Sequence, residues 1–231
     1  MTLSVITGAS KGIGKATARL FSEKGRDVIN LSRTSSNLVG VSDVKLDLTE
    51  PDAAKKVQAF AAGIEAQEIH LIHNAAILIN DDIKALDSVQ FSRVLALNVI
   101  APQILNKFLI PKMAPGSSII YIGSTLSEKA VKNSFSYVSS KHAVIGMMRA
   151  TCQDLAGSGI HTACICPGFT DTEMLREHVG GSKEALEAVG NLSAYGRLIE
   201  PEEIASTIQF ACENPVVNGT IIHANLGQIE N

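Results

Sequence analysis

The first 25 residues place a glycine-rich turn between a short apolar strand and an amphipathic helix, which is typical of the first unit of a layered α/β domain. The apolar run Leu3–Thr7 leads directly into a turn that contains Gly8, Ser10, Lys11, Gly12, Ile13 and Gly14. Such a turn lets backbone N–H groups and a helix N-terminus approach a phosphate. Its spacing, GxxxGxG, is neither GxGxxG nor a Walker loop, so a purely structural turn is the alternative to a cofactor phosphate site.

The alternation of strand and helix patterns continues along the chain without a change in composition. Apolar runs at 27–32, 44–47, 69–72, 119–122, 160–166 and 220–224 indicate further strands, and helical patterns separate most of them. We therefore predict an α/β fold: a Rossmann-type doubly wound parallel sheet of about seven strands, with helices on both faces in three layers. Because no linker or repeat interrupts the pattern, residues 1–231 are predicted to form a single domain.

The composition excludes several function classes. Hydrophobic residues make up 45% of the 231 residues and charged residues 19%, which excludes disorder as the main state. A net charge of −3 without a basic block predicts no nucleic-acid or membrane partner. No apolar run approaches the ~18 residues of a membrane span, and Met1 and Thr2 lead directly into a strand-like segment, so we expect a soluble, cytoplasmic protein. The four cysteines lack CxxC spacing, and no metal site is expected.

The end of the second predicted strand bears on the choice of cofactor. In a dinucleotide-binding fold, an acidic residue near this place binds the ribose 2′-hydroxyl, whereas an arginine accommodates a 2′-phosphate. Arg33 occupies the place, no Asp or Glu lies between Asn30 and Asn37, and Lys11 adds a second cation. These residues favour NADP(H) over NAD(H). The alternative is that both cations are solvated surface charges.

The segment after Arg33 is unusually short. Residues 34–42 are rich in Ser, Thr, Asn and Gly and are too few for the usual crossover helix between parallel strands, so we predict a loop or at most one helical turn. The third predicted strand then ends at Asp47, whose carboxylate could accept a hydrogen bond from an adenine amino group. Leu48 is assigned to the same cofactor site.

Tyr137 and Lys141 form the candidate catalytic pair. Because they lie four residues apart on a predicted helix, they share one face, and the ammonium lies close to the phenol. A phenol titrates near ~10 and a neighbouring cation favours its ionised form, so we expect a pKa for Tyr137 nearer neutrality. Tyr137 is then a candidate general acid/base. Ser124 follows the apolar run 119–122 and Gly123, and supplies a hydroxyl at the C-terminal end of a buried strand.

A long helical pattern, Ser88–Lys112, contains Pro102. Proline has no N–H, so the carbonyl of Asn98, four residues earlier, loses its helical partner. A free carbonyl beside a polar side chain in an apolar helix is a natural place for a bound water. The alternative is a simple kink.

Together these residues resemble the short-chain dehydrogenase/reductase family, in its shorter single-domain branch, over essentially the whole chain. Residues 7–14 resemble the cofactor loop of the family. Asn74, Ala75 and Ala76 resemble the NAG element of the family. The family's PGxxxT segment corresponds to Pro167, Gly168, Thr170 and Thr172. Its catalytic tetrad is matched in order and spacing by Asn98, Ser124, Tyr137 and Lys141.

The resemblance implies a mechanism and an assembly. Tyr137 donates a proton to the substrate carbonyl oxygen as hydride leaves the nicotinamide, and Ser124 hydrogen-bonds that oxygen. Lys141 binds the nicotinamide ribose and lowers the pKa of Tyr137, while the Asn98 carbonyl links Lys141 to solvent through a water. The pairing of Arg33 with Lys11 is similar to the pairing in NADPH-preferring carbonyl reductases of the family. This similarity favours reduction as the working direction of the enzyme. Paired long helices in the family imply a homodimer or homotetramer.

Three functions remain open at this stage. The first is an NADPH-dependent reductase of a small ketone or aldehyde, and the second is a reductase of 3-oxoacyl groups on an acidic acyl carrier protein, for which Lys129 and Lys132 could supply a basic patch. The third is a non-catalytic NADP(H)-binding sensor, which has no chemical need for Ser124 or Tyr137. The candidate residues for lining the substrate pocket are apolar and predict an apolar group next to the substrate carbonyl. They are Leu126, Phe169, Met174 and Leu175.

Overall fold

The protein is described here by a computed structural model that covers residues 2–65 and 67–228. Within these residues, seven parallel strands form one sheet in the order β3-β2-β1-β4-β5-β6-β7. The strands are β1 (Leu3–Thr7), β2 (Asp27–Ser32), β3 (Val41–Lys45), β4 (Ile69–His73), β5 (Ser118–Ile122), β6 (His161–Pro167) and β7 (Thr220–Ala224). The predicted Rossmann-type fold is confirmed.

The helices cover both faces of this sheet. They are α1 (Gly12–Glu23), α2 (Ala53–Ala62), α3 (Ser88–Leu95), α4 (Ala101–Leu109), α5 (Phe135–Asp154), α6 (Glu173–His178), α7 (Lys183–Gly190) and α8 (Pro201–Glu213). Strands β1, β4, β5 and β6 are buried along their whole length, as expected for parallel strands covered on both faces. One core contains Leu105 and Met148, and the other contains Phe21 and Ile208.

Strand β3 differs from the prediction in its position. It spans Val41–Lys45 instead of 44–47, and it pairs with β2 so that Lys45 lies opposite Ser32. Asp47 therefore lies two residues beyond the strand. The sequence pattern missed the first half of β3 because this edge strand is polar and largely exposed there. The connection from β2, residues 33–40, consists of bends, irregular backbone and a turn, without a helix throughout its described length, which confirms the predicted loop.

The long helix predicted from the sequence is continuous from residue 88 to 112 but changes its winding. A π turn at Ala96–Ile100 joins α3 to α4, and the N–H of Ala101 donates to the Ala96 carbonyl, five residues back. Pro102 occupies the second position of α4, two residues after the π turn ends at Ile100. This helix is long and apolar enough to cross a membrane, but core helices of soluble proteins meet the same criteria of length and composition. In this fold, 39% of its most apolar 18-residue window is buried.

Candidate active site

The carboxyl ends of the strands open into a cavity of about 740 Å³. Such a crevice is the usual ligand site of a doubly wound sheet. Two of the predicted site residues, Gly14 and Asn98, lie outside its lining. The cavity brings together the other predicted ones, namely Gly8, Ser10, Lys11, Gly12, Ile13, Arg33, Asp47, Leu48, Asn74, Ala75, Ala76, Ser124, Tyr137, Lys141, Pro167, Gly168, Thr170 and Thr172.

The glycine turn has the close backbone approach that a phosphate site requires. Gly8 has a φ of +70°, and a Cβ there would lie 3.0 Å from the Ala75 Cα. A Cβ at Gly14 would lie 2.4 Å from the Asn74 Nδ2, so its role is packing of the turn and not cavity lining. Among the described residues, no side chain caps the N-terminus of α1. The first N–H groups of that helix are therefore available to an anion.

Thr7 and Asn74 hold the glycine turn against the segment that follows β4. The Thr7 hydroxyl accepts hydrogen bonds from the N–H groups of Asn74 and Ala75, each at 3.0 Å. In return, the Asn74 Nδ2 donates to the carbonyls of Thr7 (3.0 Å) and Gly8 (3.1 Å). No local sequence pattern indicates this role of Thr7, because these contacts join residues more than 60 positions apart.

Ser124, Tyr137 and Lys141 line one end of the cavity. Ser124 follows β5 and caps a short 3₁₀ turn, accepting from the Leu126 N–H at 3.1 Å. Tyr137, in the first turn of α5, is 9% exposed and hydrogen-bonds to the Ser124 side chain. Lys141 lies one turn later at 4% exposure, and its Nζ donates to the Ile122 carbonyl at 2.6 Å. The predicted cluster of two hydroxyls and one ammonium is therefore present.

The pKa of Tyr137 shifts in the direction opposite to the expected one. Burial raises it to about 12, and the hydrogen bond with Ser124 offsets only part of this rise. Burial also lowers the pKa of Lys141 to about 8. The Lys141 Nζ lies 5.4 Å from the centre of the Tyr137 ring and is bonded to the Ile122 carbonyl. Burial therefore sets the direction of both pKa shifts, and the phenol is protonated at neutral pH.

Asn98 lies behind the cavity and acts through its side chain. It is 3% exposed, and its amide accepts from the Ile77 N–H (2.8 Å) and donates to the Ile77 carbonyl (3.0 Å). The Asn98 Nδ2 also donates to the Ser140 hydroxyl at 2.9 Å, and that hydroxyl donates to the Tyr137 carbonyl at 2.8 Å. Asn98 thus ties the segment after Ala76 to helix α5. The proton relay through its carbonyl stays a prediction.

Asp81 fixes the N-terminus of α5 through contacts across 55 positions of the chain, which no local sequence pattern indicates. Its carboxylate accepts from the Ser136 N–H at 3.0 Å and from the Ser136 hydroxyl, and Asp81 is 9% exposed. The backbone of Asp81 also accepts from the Phe135 N–H at 3.3 Å. A carboxylate at a helix N-terminus stabilises the first turn, and here that turn carries Tyr137.

The other end of the cavity carries the residues predicted to bind the adenosine half of a cofactor. Arg33 lines the cavity and is exposed, and the Lys11 Nζ lies 4.0 Å from a carboxylate oxygen of Glu177. Asp47 accepts from the Thr49 N–H (2.9 Å) and hydroxyl (2.7 Å). Although burial opposes it, these bonds, with the charges of Arg33 and Arg93, lower the pKa of Asp47.

Comparison with known proteins decides the family. A family model described as enoyl-(acyl carrier protein) reductase matches residues 8–228. Dehydrogenase/reductase SDR family member 6 of Rattus norvegicus is 31% identical over 230 residues, covering 94% of this chain and 92% of its own. The chain belongs to the short-chain dehydrogenase/reductase family. It is therefore an oxidoreductase of this family, whose members act on CH–OH and C=O groups.

Other members with different names are similar to this chain. The 3-oxoacyl-[acyl-carrier-protein] reductase FabG of Vibrio cholerae is 27% identical to this chain, and the alignment covers 97% of this chain and 96% of the FabG chain. The crystal structure of a short-chain dehydrogenase family protein from Francisella tularensis has a TM-score of 0.89 at 31% identity and 98% coverage of both chains. Structures with the same fold have been solved with NADP (23% identity) and with NADH (24% identity) bound.

Proposed function

We propose that this short-chain dehydrogenase/reductase uses NADPH to reduce the carbonyl group of a small ketone or aldehyde to an alcohol. The observation that carries the proposal is the convergence of the Ser124 and Tyr137 hydroxyls and the Lys141 ammonium at one end of a largely apolar cavity. The glycine turn and the uncapped N-terminus of α1 at the other end fit a dinucleotide. When bound there, the cofactor supplies the hydride that is added to the carbonyl carbon.

The residues of the chain supply the proton and stabilise the developing charge. Ser124 donates a hydrogen bond to the substrate oxygen, which gains negative charge as the hydride adds. Tyr137 transfers its proton to the same oxygen, so the product is the alcohol and the phenolate is left on the enzyme. Burial raises the pKa of Tyr137 to about 12, so the phenol carries its proton at neutral pH, as a proton donor must. Lys141 places a positive charge beside the phenolate and lowers its energy.

The substrate end of the cavity favours an apolar substituent. Its lining includes Leu126, Phe169, Met174 and Leu175, the residues predicted to do so. His178 and Gln228 also line the cavity and add polar side chains to it. A small carbonyl compound with an apolar side chain matches this lining better than a highly charged one.

The test of the function is steady-state oxidation of NADPH and of NADH against ketones, aldehydes, quinones and 3-oxoacyl thioesters. Turnover with NADPH on ketones or aldehydes is expected. Activity restricted to the 3-oxoacyl thioesters would identify the carrier-protein reductase instead. Tight NADPH binding without turnover of any compound would favour the sensor.

The cofactor preference is tested by Arg33→Asp. This change is expected to weaken NADPH binding by about tenfold or more while leaving NADH binding unchanged or improved, because it replaces the partner of a 2′-phosphate by a repelling carboxylate. Dissociation constants of both cofactors are measured by fluorescence titration. Arg19→Asp, a charge reversal at an exposed residue of α1 outside the cavity, is the control. An unaltered ratio of the two affinities after Arg33→Asp would remove the basis for the NADPH assignment.

We also propose that two protomers pair through the long helix. Ile100, Ile104 and Phe108 recur every four residues along one stripe of it; Ile100 is 51% exposed, and the other two are only partly buried. An apolar helix that is 39% buried within its own protomer retains apolar surface for a second copy.

The variant Ile100→Lys is expected to shift the protein from dimer, or higher assembly, toward monomer in sedimentation velocity, because a charge would be buried at the contact. Val39→Lys, at a valine that is 98% exposed near β3, is the matched control and should leave assembly unchanged. An unchanged sedimentation coefficient for Ile100→Lys would exclude this helix face as the contact.

A further inference from the structure

The loop that begins at Arg33 joins the parallel strands β2 and β3 but lacks the helix that usually makes such a connection. Residues 33–40, all within the described part of the chain, connect β2 to β3 through bends, irregular backbone and a turn. Parallel strands are usually connected by a dozen or more residues, most often with a helix that fixes the path of the chain. In this protein, the path of the loop that carries Arg33 must be fixed by other contacts.

Asp43 on β3 provides these contacts. One carboxylate oxygen accepts from the Asn30 Nδ2 (2.8 Å) and the Ser36 N–H (2.9 Å), and the other accepts from the Ser35 hydroxyl (2.5 Å). These bonds also lower the pKa of Asp43 to about 2, against the opposing effect of burial, so the carboxylate is ionised at neutral pH. Charge-assisted hydrogen bonds of this kind are stronger than neutral ones.

Asn30 extends the network to the glycine turn. It is 1% exposed on β2, and its amide oxygen accepts from the Ala9 N–H at 2.9 Å while its Nδ2 donates to Asp43 and, at 3.3 Å, to the Thr34 carbonyl. One carboxylate therefore connects the loop after Arg33 with the turn that faces the cofactor phosphates. Arg33 and Thr34 line the cavity, whereas Asp43 lies outside its lining.

We propose that Asp43 is a positioning residue for cofactor specificity: it holds the loop 33–36 so that Arg33 binds the 2′-phosphate of NADP(H). This inference rests on the proposed preference for NADP(H). The positioning role and the charge of Asp43 predict opposite changes in NADP(H) affinity when the carboxylate is removed. Removing a carboxylate near a phosphate site would relieve Coulomb repulsion and so strengthen phosphate binding. Loss of the positioning role would weaken it instead.

The experiment is isothermal titration calorimetry of NADP⁺ and of NAD⁺ with the wild-type protein and five variants. Asp43→Ala is expected to weaken NADP⁺ binding by about tenfold and NAD⁺ binding by less than about threefold, since the second ligand has no 2′-phosphate. Asp43→Asn keeps the size of the side chain, and its NADP⁺ affinity is expected to fall between those of the wild-type protein and Asp43→Ala. Asp27→Ala, an exposed aspartate at the opposite end of β2, is the control and should not alter either affinity.

The double variant Arg33→Ala/Asp43→Ala separates positioning from a general loss of structure. If Asp43 acts through Arg33, then Asp43→Ala will not further change the NADP⁺/NAD⁺ ratio in the Arg33→Ala background. Circular dichroism melts show whether each variant is folded, and if Asp43→Ala is not, the Asp43→Asn ratio decides. Unchanged or tighter NADP⁺ binding by the folded variants would overturn the role of Asp43.

The two proposals fail in different ways. Equal affinities of the wild-type protein for NADP⁺ and NAD⁺ would overturn the proposed cofactor preference itself. A wild-type preference that is lost in Arg33→Ala but survives in the Asp43 variants would overturn only the positioning role.

Discussion

Replacement of Tyr137 by phenylalanine is expected to lower turnover by about 10²- to 10⁴-fold while leaving NADPH affinity nearly unchanged. The variant removes only the hydroxyl that is the proposed proton donor. The ring keeps its buried place, with the Lys141 Nζ 5.4 Å from its centre. Steady-state kcat with the best substrate of the panel and a fluorescence titration with NADPH measure the two quantities separately.

Tyr121→Phe is the matched control because it removes a hydroxyl from a second buried tyrosine that lies outside the cavity lining. The Tyr121 hydroxyl accepts from the Asn106 Nδ2 at 2.6 Å and is hydrogen-bonded to the Thr151 hydroxyl at 3.0 Å. Its loss is expected to lower the free energy of unfolding by about 1–3 kcal/mol, while turnover stays near that of the wild type. Full activity of Tyr137→Phe would overturn the assignment of the proton donor.

The parts of the fold that follow from local sequence could be predicted closely. Strand β1, the glycine turn and helix α1 are encoded by adjacent residues: an apolar run, then Gly8 and Gly12 at positive φ, then apolar residues at helical spacing. Strand β7 matches its predicted bounds for the same reason. The first half of β3 was missed because an exposed edge strand need not be apolar, and only its pairing with β2 reveals it.

Contacts between distant residues could not be predicted. The bonds from Asp43 to Asn30 and from Asp81 to Ser136 join residues 13 and 55 positions apart, and each aspartate lies in a stretch that by itself indicates a surface loop or turn. The motif that predicts Tyr137 and Lys141 gives their spacing but not their desolvation. Burial of both groups is a property of the whole fold, and it reverses the expected direction of the Tyr137 pKa shift.

Asn98→Ala is expected to lower the free energy of unfolding by about 2–4 kcal/mol and kcat by about tenfold or more. The change leaves the N–H and carbonyl of Ile77 without the amide that pairs with both. It also removes the bond to the Ser140 hydroxyl, through which Asn98 is linked to the Tyr137 carbonyl. Alanine retains the backbone carbonyl to which the family resemblance assigns the proton relay, so any loss belongs to the side chain. Urea denaturation and steady-state kinetics measure the two effects.

Asn106→Ala separates the catalytic part of this effect from the stability part. Asn106 is a second buried asparagine of the same long helix, 8% exposed, and its amide hydrogen-bonds to His73 (2.8 Å) and Tyr121 (2.6 Å) away from the cavity. A similar loss of stability is expected for both variants, because each leaves buried polar groups without partners. Only Asn98→Ala should lower kcat, since only Asn98 connects the cavity wall at Ile77 to the helix that carries Tyr137. Equal kcat values in the two variants would show that the Asn98 side chain contributes stability alone.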